Sequence, residues 1–272
     1  LVHTVLLNMC ASSDKPRFAK STCSGRINNP SFFRKKALCV VWFAFAIQTV
    51  RLFSRKLCKF VNHEHPPPLP CSVYVPGAGF SGFFFMLGRL KSLPKSSERN
   101  YYCYSAGCLG VVATLSNITE EKVIEIAFDV QQQWLNGELS RFELTQAFVD
   151  KLVPPNTYFT SEFTKIKIIT TTSSSIARSH IRTPETSTDL REMLVQTCWI
   201  PFVTGWGLGS KGHLDGAFSQ YIWPLPRYDI HLKLPRKMDV ILNVMNPNLS
   251  IEQTLKFFHA GTLHGLNENV DV

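Results

Sequence analysis

A serine at a predicted sharp turn is the residue in this chain best placed for nucleophilic chemistry. The run 101–109 reads Tyr-Tyr-Cys-Tyr-Ser-Ala-Gly-Cys-Leu, a β-prone stretch followed by small residues and then by the helix-prone run 109–115. A strand–turn–helix of this kind pushes the hydroxyl of Ser105 out of the sheet and aims a helix N-terminus at it. Small residues are needed two places before and after the serine; Gly107 fits, and Cys103 stands at the other place. The alternative is an ordinary turn with a serine N-cap.

A glycine-rich loop supplies candidate donors for a developing oxyanion. Residues 77–82 read Gly-Ala-Gly-Phe-Ser-Gly, between a predicted strand at 71–75 and a predicted helix at 83–93. Glycine lets the backbone approach an anion closely, and a helix N-terminus presents free N–H groups. The same pattern matches a dinucleotide fingerprint, which needs an acidic residue about 20 positions on. Glu98 is at about that distance, but it precedes the second strand instead of ending it.

Asp215 is the candidate proton acceptor. It lies in the run Leu-Asp-Gly-Ala-Phe at 214–218, within a glycine-rich loop. A carboxylate held against a serine hydroxyl in a dry cleft can take its proton. One alternative is a turn residue, because Asp-Gly is a common turn. The other is a Ser–Asp–His triad, which His231, His259 or His264 would complete in the appropriate chain order.

Four motifs in order resemble those of the patatin-like phospholipases. They are the glycine loop, Tyr-Ser-Ala-Gly-Cys-Leu, Trp-Ile-Pro-Phe and Leu-Asp-Gly-Ala-Phe, and the match covers roughly residues 72–245. The chain is most similar to the animal-type branch, whose loop runs Gly-x-Gly-Phe-x-Gly. The resemblance implies a serine–aspartate dyad of Ser105 and Asp215, an oxyanion loop at Gly77, Ala78 and Gly79, and no histidine, cofactor or metal. Cys103 departs from the family pattern, which has glycine there.

Strands and helices alternate along the second part of the chain. Strands are predicted at 71–75, 101–104, 165–172 and 238–245, and helices at 83–93, 109–115, 189–195 and 251–263. Helical periodicity also runs through 119–152, with Thr119 as the cap. This alternation predicts an α/β fold with a mostly parallel sheet. The resemblance specifies a three-layer α/β/α sandwich.

Charge and hydropathy divide the chain into a basic region at 1–70 and a hydrolase domain at 71–272. Residues 1–71 carry 11 lysines and arginines against two acidic residues, whereas residues 72–272 carry 18 of each. An apolar stretch at 37–53, flanked by basic residues, is a candidate membrane anchor, although its unbroken core is shorter than the roughly 20 residues of a span. A core helix and a signal sequence are the alternatives. The proline-rich run at 63–70 predicts a stiff linker; its two histidines lack a third metal ligand.

The cysteines and the distribution of charge indicate which cellular compartment and which partners to expect. The eight cysteines show no metal-ligand spacing, and we expect them to be mostly reduced, as in a domain facing the cytosol. Nucleic acid is not expected as a partner, because the basic excess lacks interleaved aromatic residues.

The sequence therefore predicts a serine lipid acyl hydrolase that cleaves a carboxylic ester of phospholipid or acylglycerol through an acyl-enzyme. The expected partners are the lipid ester and a membrane surface, with the catalytic domain facing the cytoplasm. The alternatives are a lipid transacylase and a catalytically inactive, membrane-tethered lipid-binding protein.

Overall fold

The computed structural model describes residues 69–94, 96–172, 178–222, 226–234 and 246–268. All of them lie in the second of the two units into which the chain divides, Glu64–Val272. The predicted anchor at 37–53, the linker at 63–70 up to its last two residues, and the predicted strand at 238–245 lie outside the described residues. They stay predictions.

Seven helices and six strands make up the described part of the chain. The strands are β1 (Leu69–Val75), β2 (Asn100–Cys103), β3 (Ile166–Thr172), β4 (Ser179–Arg182), β5 (His213–Asp215) and β6 (Tyr228–His231). The helices are α1 (Gly79–Ser92), α2 (Ala106–Leu115), α3 (Glu120–Leu135), α4 (Leu144–Leu152), α5 (Ser187–Thr197), α6 (Ala217–Ile222) and α7 (Ile251–Glu268). A 3₁₀ turn, Ser161–Lys165, leads into β3.

The strands form one mixed sheet in the order β4-β3-β2-β1-β6, with β5 also paired to β3. The pairs β6–β1, β1–β2 and β2–β3 are parallel, whereas β4 and β5 are antiparallel to β3. Thr170 and Thr171 pair with β4 and with β5, so these two strands lie on opposite edges of β3. Because β2 pairs with the first half of β3, β5 occupies the place beyond the end of β2. The α/β prediction with a mostly parallel sheet is confirmed.

The two faces of the sheet carry different side chains, as the two-residue period of a strand requires. Val73, Val75, Cys103 and Ile168 belong to the large apolar core that also includes buried residues of α1, α2, α5 and α7. Tyr74, Tyr104, Ile169 and Tyr228 form a smaller cluster on the other face, where Ala217 at the start of α6 packs against them.

Helix α7 packs closely on α1 through glycine. A Cβ atom at Gly88 would lie 2.2 Å from the carbonyl oxygen of Phe258, and one at Gly261 would lie 2.0 Å from that of Phe85. Side chains at these positions would force the two helices apart. This close pair covers the outer side of the core beneath the glycine loop that precedes α1.

The boundaries of several elements differ from the predicted ones. The periodic run 119–152 forms two helices instead of one, because the chain turns at Gly137, whose φ of 79° is unfavourable for other residues. Thr119 caps α3 as predicted, accepting a hydrogen bond from the Lys122 N–H. Helix α1 begins at Gly79, four residues before the predicted start. The residues of β5 were predicted as a loop, and β4 and β6 were not predicted.

Candidate active site

Ser105 stands at the junction of β2 and α2 with an unusual backbone conformation. Its φ is 53° and its ψ is −143°, a region that residues other than glycine rarely adopt. Gly107 makes the turn possible, because a Cβ atom there would lie 2.4 Å from the carbonyl oxygen of Pro76 and 2.8 Å from that of Val75. The predicted strand–turn–helix is therefore present. Ser105 makes no side-chain cap hydrogen bond, which argues against a simple N-cap.

A disulfide joins Cys103 and Cys108 across this turn, with their Cα atoms 5.0 Å apart. The prediction that the cysteines are mostly reduced is wrong for this pair. The bond links the end of β2 to the first turn of α2, and both sulfur-bearing residues are fully buried. Cys103 lies two residues before Ser105, and its side chain is directed into this bond. Of the other described cysteines, Cys71 is exposed and Cys198 is buried, and both are free.

Asp215 ends β5, and its register against Thr170 carries it to the carboxyl end of β2. Its side chain is buried, and its Oδ1 accepts a hydrogen bond of 2.8 Å from the Ala217 N–H. The following glycine is required, because a Cβ atom at Gly216 would lie 2.5 Å from the Ile169 carbonyl oxygen and from Tyr104 Cβ. The structure therefore brings the carboxyl group of Asp215 next to the side chain of Ser105.

Burial raises the pKa of Asp215 to about 7. An interaction with the Ser105 side chain and the hydrogen bond from Ala217 oppose this rise in part. Within the described chain, however, Oδ2 accepts no hydrogen bond of ordinary geometry, so the contact with Ser105 is looser than a formed hydrogen bond. A carboxylate oxygen next to a serine hydroxyl, with no other donor, can receive a proton.

The glycine loop lies directly against the serine. A Cβ atom at Gly77 would lie 2.9 Å from Ser105 Cβ and 2.5 Å from the Tyr104 ring. Gly79 has a φ of 58° and opens α1. In the part of the chain that the structure describes, the N–H groups of Gly77 and Ala78 donate to no other backbone carbonyl. The loop thus places free N–H groups and a helix N-terminus beside the Ser105 hydroxyl, as an oxyanion site requires.

A cavity of about 120 Å³ begins at Ser105 and Gly79 and runs between α1, α3 and α4. Its walls are largely apolar and include Phe80, Phe83, Phe84, Leu109, Phe148 and Leu249. Such a lining accepts a hydrocarbon chain and offers little to a charged group.

Thr197 and Cys198, at the end of α5, belong to the site but were not predicted. The Thr197 hydroxyl accepts a 2.9 Å hydrogen bond from the Ser105 N–H and donates one of 2.7 Å to the Ile169 carbonyl oxygen. Cys198 lines the cavity, and burial, followed by the charge of Asp215, raises the pKa of its thiol well above the usual value. The only signal in the sequence is their position just before the Trp-Ile-Pro-Phe motif.

The histidines that would complete a triad lie elsewhere. His231 ends β6 and contacts the Tyr74 ring, whereas His259 and His264 lie on α7 beside Phe258 and Phe85. None of these histidines lines the cavity at Ser105. His213 is two residues from Asp215, but its Nδ1 lies 3.1 Å from the Thr170 hydroxyl. In the part of the chain that the structure describes, these histidines therefore do not link Asp215 to Ser105.

Within the described ranges, no cluster of three or more His, Cys, Asp or Glu side chains could hold a metal ion. Glu98, the acidic residue of the dinucleotide alternative, lies near Cys71 at the beginning of β1, away from the glycine loop at the other end of that strand. The described helices include none long and apolar enough to cross a bilayer.

Comparisons with family models, with curated proteins and with solved structures found no match for this chain.

Proposed function

We propose that this protein is a serine lipid acyl hydrolase that cleaves a carboxylic ester of phospholipid or acylglycerol. The observation that carries the proposal is the junction of three features at Ser105. A strained serine meets a buried carboxylate with an unpartnered oxygen, and an apolar cavity begins at the same point. The cavity supports an acyl chain as the part of the substrate that is bound.

The first half of the reaction makes an acyl-enzyme. The Ser105 oxygen attacks the ester carbonyl carbon while its proton passes to Asp215 Oδ2. The N–H groups of the loop at 77–79 stabilise the negative charge on the carbonyl oxygen. When the tetrahedral intermediate collapses, the carbon–oxygen bond to the alcohol breaks, and Asp215 returns the proton to the departing alcohol.

The second half returns the free enzyme. Water attacks the acyl carbon, Asp215 accepts a proton from it, and collapse of the second intermediate releases the carboxylic acid and restores the Ser105 hydroxyl. If a lipid alcohol attacks instead of water, the same steps give transacylation. A pKa near 7 suits Asp215 to this exchange, because the group can both accept and donate a proton at neutral pH.

The patatin-like three-layer architecture and the membrane location belong to the same proposal. The serine–aspartate pairing and the close glycine loop support the resemblance. The basic region at 1–71 supports a membrane surface as the place of action. The cytoplasmic orientation stays a prediction, and the Cys103–Cys108 disulfide is the observation that weighs against it, because disulfides persist mainly in oxidising compartments.

Hydrolysis of a dispersed short-chain ester by purified variants tests the proposal. Ser105→Ala and Asp215→Asn should each lower kcat by about 10³-fold or more, the scale of losing a nucleophile or its base. Ser116→Ala, at the other end of α2, is the matched control and should keep the wild-type rate. Single changes of His231, His259 and His264 to Ala should also keep most of it. A folded histidine variant without activity would point to a triad instead of a dyad.

A further inference from the structure

The loop between α5 and β5 exposes three large apolar side chains. Phe202 is 51% exposed, Trp206 is 64% exposed and Leu208 is 74% exposed. Lys211 is the one charged residue in 199–212, and it forms an ion pair with Glu192. The side chains of Phe202, Trp206 and Leu208, here called the apolar rim, are therefore exposed and uncharged and lie within one stretch of the loop, 202–208. Exposed apolar surface of this kind marks an interaction site more often than chance.

The loop that bears the apolar rim is folded. The Thr204 hydroxyl accepts a 2.7 Å hydrogen bond from the Ile200 N–H and donates one of 2.6 Å to the Cys198 carbonyl oxygen. The Phe202 N–H donates to the Gly205 carbonyl oxygen over 2.9 Å. Gly205 sits on the Trp199 ring, where a Cβ atom would lie 2.4 Å from the indole. These contacts fix the turn with its apolar side chains outward.

Phe202 carries a further mark of a constrained turn. Its φ is 61°, in the left-handed region that a bulky residue rarely adopts. The surrounding hydrogen bonds hold it there, and the residue is nevertheless exposed. Backbone strain of this kind concentrates where a protein makes functional contacts.

The apolar rim borders the cavity that begins at Ser105. Ile200 and Thr204, in the same turn, line that cavity. The Trp206 ring lies 4.4 Å from the ring of Phe142, and Leu144, two residues further on, lines the cavity from the other side. A surface that binds the apolar rim is therefore held next to residues that line the cavity at Ser105.

We propose that the apolar rim docks on the surface of a glycerophospholipid bilayer and so places the cavity entrance against the lipid. This inference rests on the proposed lipid hydrolase function. Tryptophan, phenylalanine and leucine partition into the boundary between headgroups and acyl chains, where tryptophan keeps its N–H in a polar layer. Because the rim is uncharged, its contribution is insensitive to salt. A contribution from the basic region at 1–71 weakens as salt rises.

Fluorescence quenching in the full chain tests the docking without any catalysis. Vesicles of phosphatidylcholine with brominated acyl chains quench a tryptophan that enters the bilayer. The chain has five tryptophans, so the signal of Trp206 is the difference between wild type and Trp206→Phe, a change that keeps the ring apolar. We expect the wild type to show an extra quenched component that persists at high salt. Identical quenching of the two proteins would overturn the proposal.

A second measurement links the apolar rim to the site. The double variant Phe202→Ser, Leu208→Ser should hydrolyse phosphatidylcholine vesicles about tenfold or more slowly, since two apolar anchors are lost. Its rate on a dispersed short-chain ester should stay at the wild-type value. Equal vesicle rates for this variant and the wild type would contradict the docking role. A parallel fall on both substrates would contradict it as well.

Tyr158→Ser is the matched control, because Tyr158 is 84% exposed but remote from the site. The carbonyl oxygen of the neighbouring Thr157 accepts a hydrogen bond from the Ser187 hydroxyl at the beginning of α5. The N–H of Ser105 donates to Thr197 at the opposite end of that helix, so Tyr158 and Ser105 lie near different ends of α5. This variant should match the wild type on vesicles and on the dispersed ester. If the wild type cleaves neither substrate, the proposed function fails, and the quenching measurement still decides the docking.

Discussion

The chemistry of the candidate site depends most on the surroundings of one carboxyl group. Asp215 is 1% exposed, and its Oδ2 has no hydrogen-bond partner of ordinary geometry among the described residues. Burial raises its pKa to about 7 because the charged form loses hydration that the protein only partly replaces. A carboxyl group with this pKa changes its charge near neutral pH. Both the reaction rate and the stability of the protein should therefore depend on pH in this range.

The rate prediction concerns pH. A general base must be unprotonated, so kcat/KM on a dispersed ester should rise with pH and level off above the pKa of Asp215, about 7. Below that value, the rate should fall by about tenfold per pH unit, because the unprotonated fraction falls tenfold. Steady-state rates between pH 5 and 9, with buffers of matched ionic strength, measure this profile. A flat profile through pH 5 would contradict the role of Asp215 as the base.

The stability prediction follows from the same shift. Because the folded-state pKa is raised from 3.8 to about 7, the native protein binds a proton between these values that the unfolded chain does not. The contribution of this group to stability is therefore fully present below pH 3.8 and is lost as pH rises from there through about 7. Asp215→Asn imitates the protonated group, so its Tm should exceed that of the wild type at pH 8 and match it near pH 4. Thermal unfolding at the two pH values gives the comparison; equal differences at both would contradict it.

Part of this site could be predicted from residue types and their spacing, and the rest depends on how the helices and strands pack. Ser105, Asp215 and the glycines at 77 and 79 stand in motifs whose spacing could be read from the chain. Thr197 and Cys198 could not be found in this way, because they reach Ser105 only through the packing of α5 on β3. The Cys103–Cys108 bond escaped prediction because a spacing of five residues says nothing about whether two side chains face each other.

At the scale of elements, the site is made by three chain segments that approach without side chains between them. The loop before α1, the turn before α2 and the end of β5 come together at close-packed glycines. A Cβ atom at Gly77 or Gly216 would collide with Tyr104, and one at Gly107 would collide with the carbonyl oxygens of Val75 and Pro76. The disulfide adds a covalent link between β2 and α2 at the same point.

A substitution in the loop before α1 tests whether that loop serves the reaction or only the packing of the site. In Gly77→Ala, the new Cβ atom would collide with the Tyr104 ring at 2.5 Å and with Ser105 Cβ at 2.9 Å, which displaces the loop from the serine. Turnover should fall by about 10²-fold, the scale of a lost oxyanion donor. Gly110→Ala on α2 is the matched control, because its nearest neighbour is a Leu90 methyl group at 3.2 Å that can move.

The readouts are kcat on a dispersed ester and the Tm of each variant. A Gly77→Ala protein with wild-type turnover would mean that the loop does not serve the reaction. Equal losses of turnover in both variants would point to packing around the turn between β2 and α2 instead of the oxyanion role.

Some elements were predicted from the sequence and others were not. Helices α5 and α7 and strands β1, β2 and β3 appear within a few residues of the predicted positions. Strands β4, β5 and β6 have three or four residues each, and unlike the equally short β2 they contain no pair of successive tyrosines to mark a strand. They form because β1 and β3 offer free edges, a tertiary effect that local sequence does not record.

At the scale of the whole molecule, the order of the strands creates the site. Serine and aspartate are 110 positions apart, yet the antiparallel return of β5 to β3 lays Asp215 in line with the end of β2. The short strand β5 thus brings the aspartate to the end of β2, where the serine follows. The α/β class was predictable from alternation, whereas this return was not, because it depends on a three-residue strand within a predicted loop.

The charge of the chain is also uneven at this scale. All of the net charge of +9 arises in residues 1–71, and the rest of the chain is neutral. The apolar rim lies in the neutral part, beside the candidate site. We therefore propose different roles for the two regions. The basic region attracts the protein to an anionic surface, and the apolar rim places the cavity entrance against the lipid.

Labelling with a fluorophosphonate, followed by peptide mapping, is the most direct test of whether Ser105 is an activated nucleophile. The reagent transfers its phosphonyl group to an activated serine oxygen with loss of fluoride, so it reports nucleophile and base together. We expect one modified residue, Ser105, at pH 8, with labelling abolished in Ser105→Ala and strongly slowed in Asp215→Asn. A folded wild-type protein that stays unlabelled, or one modified at another serine, would contradict this expectation.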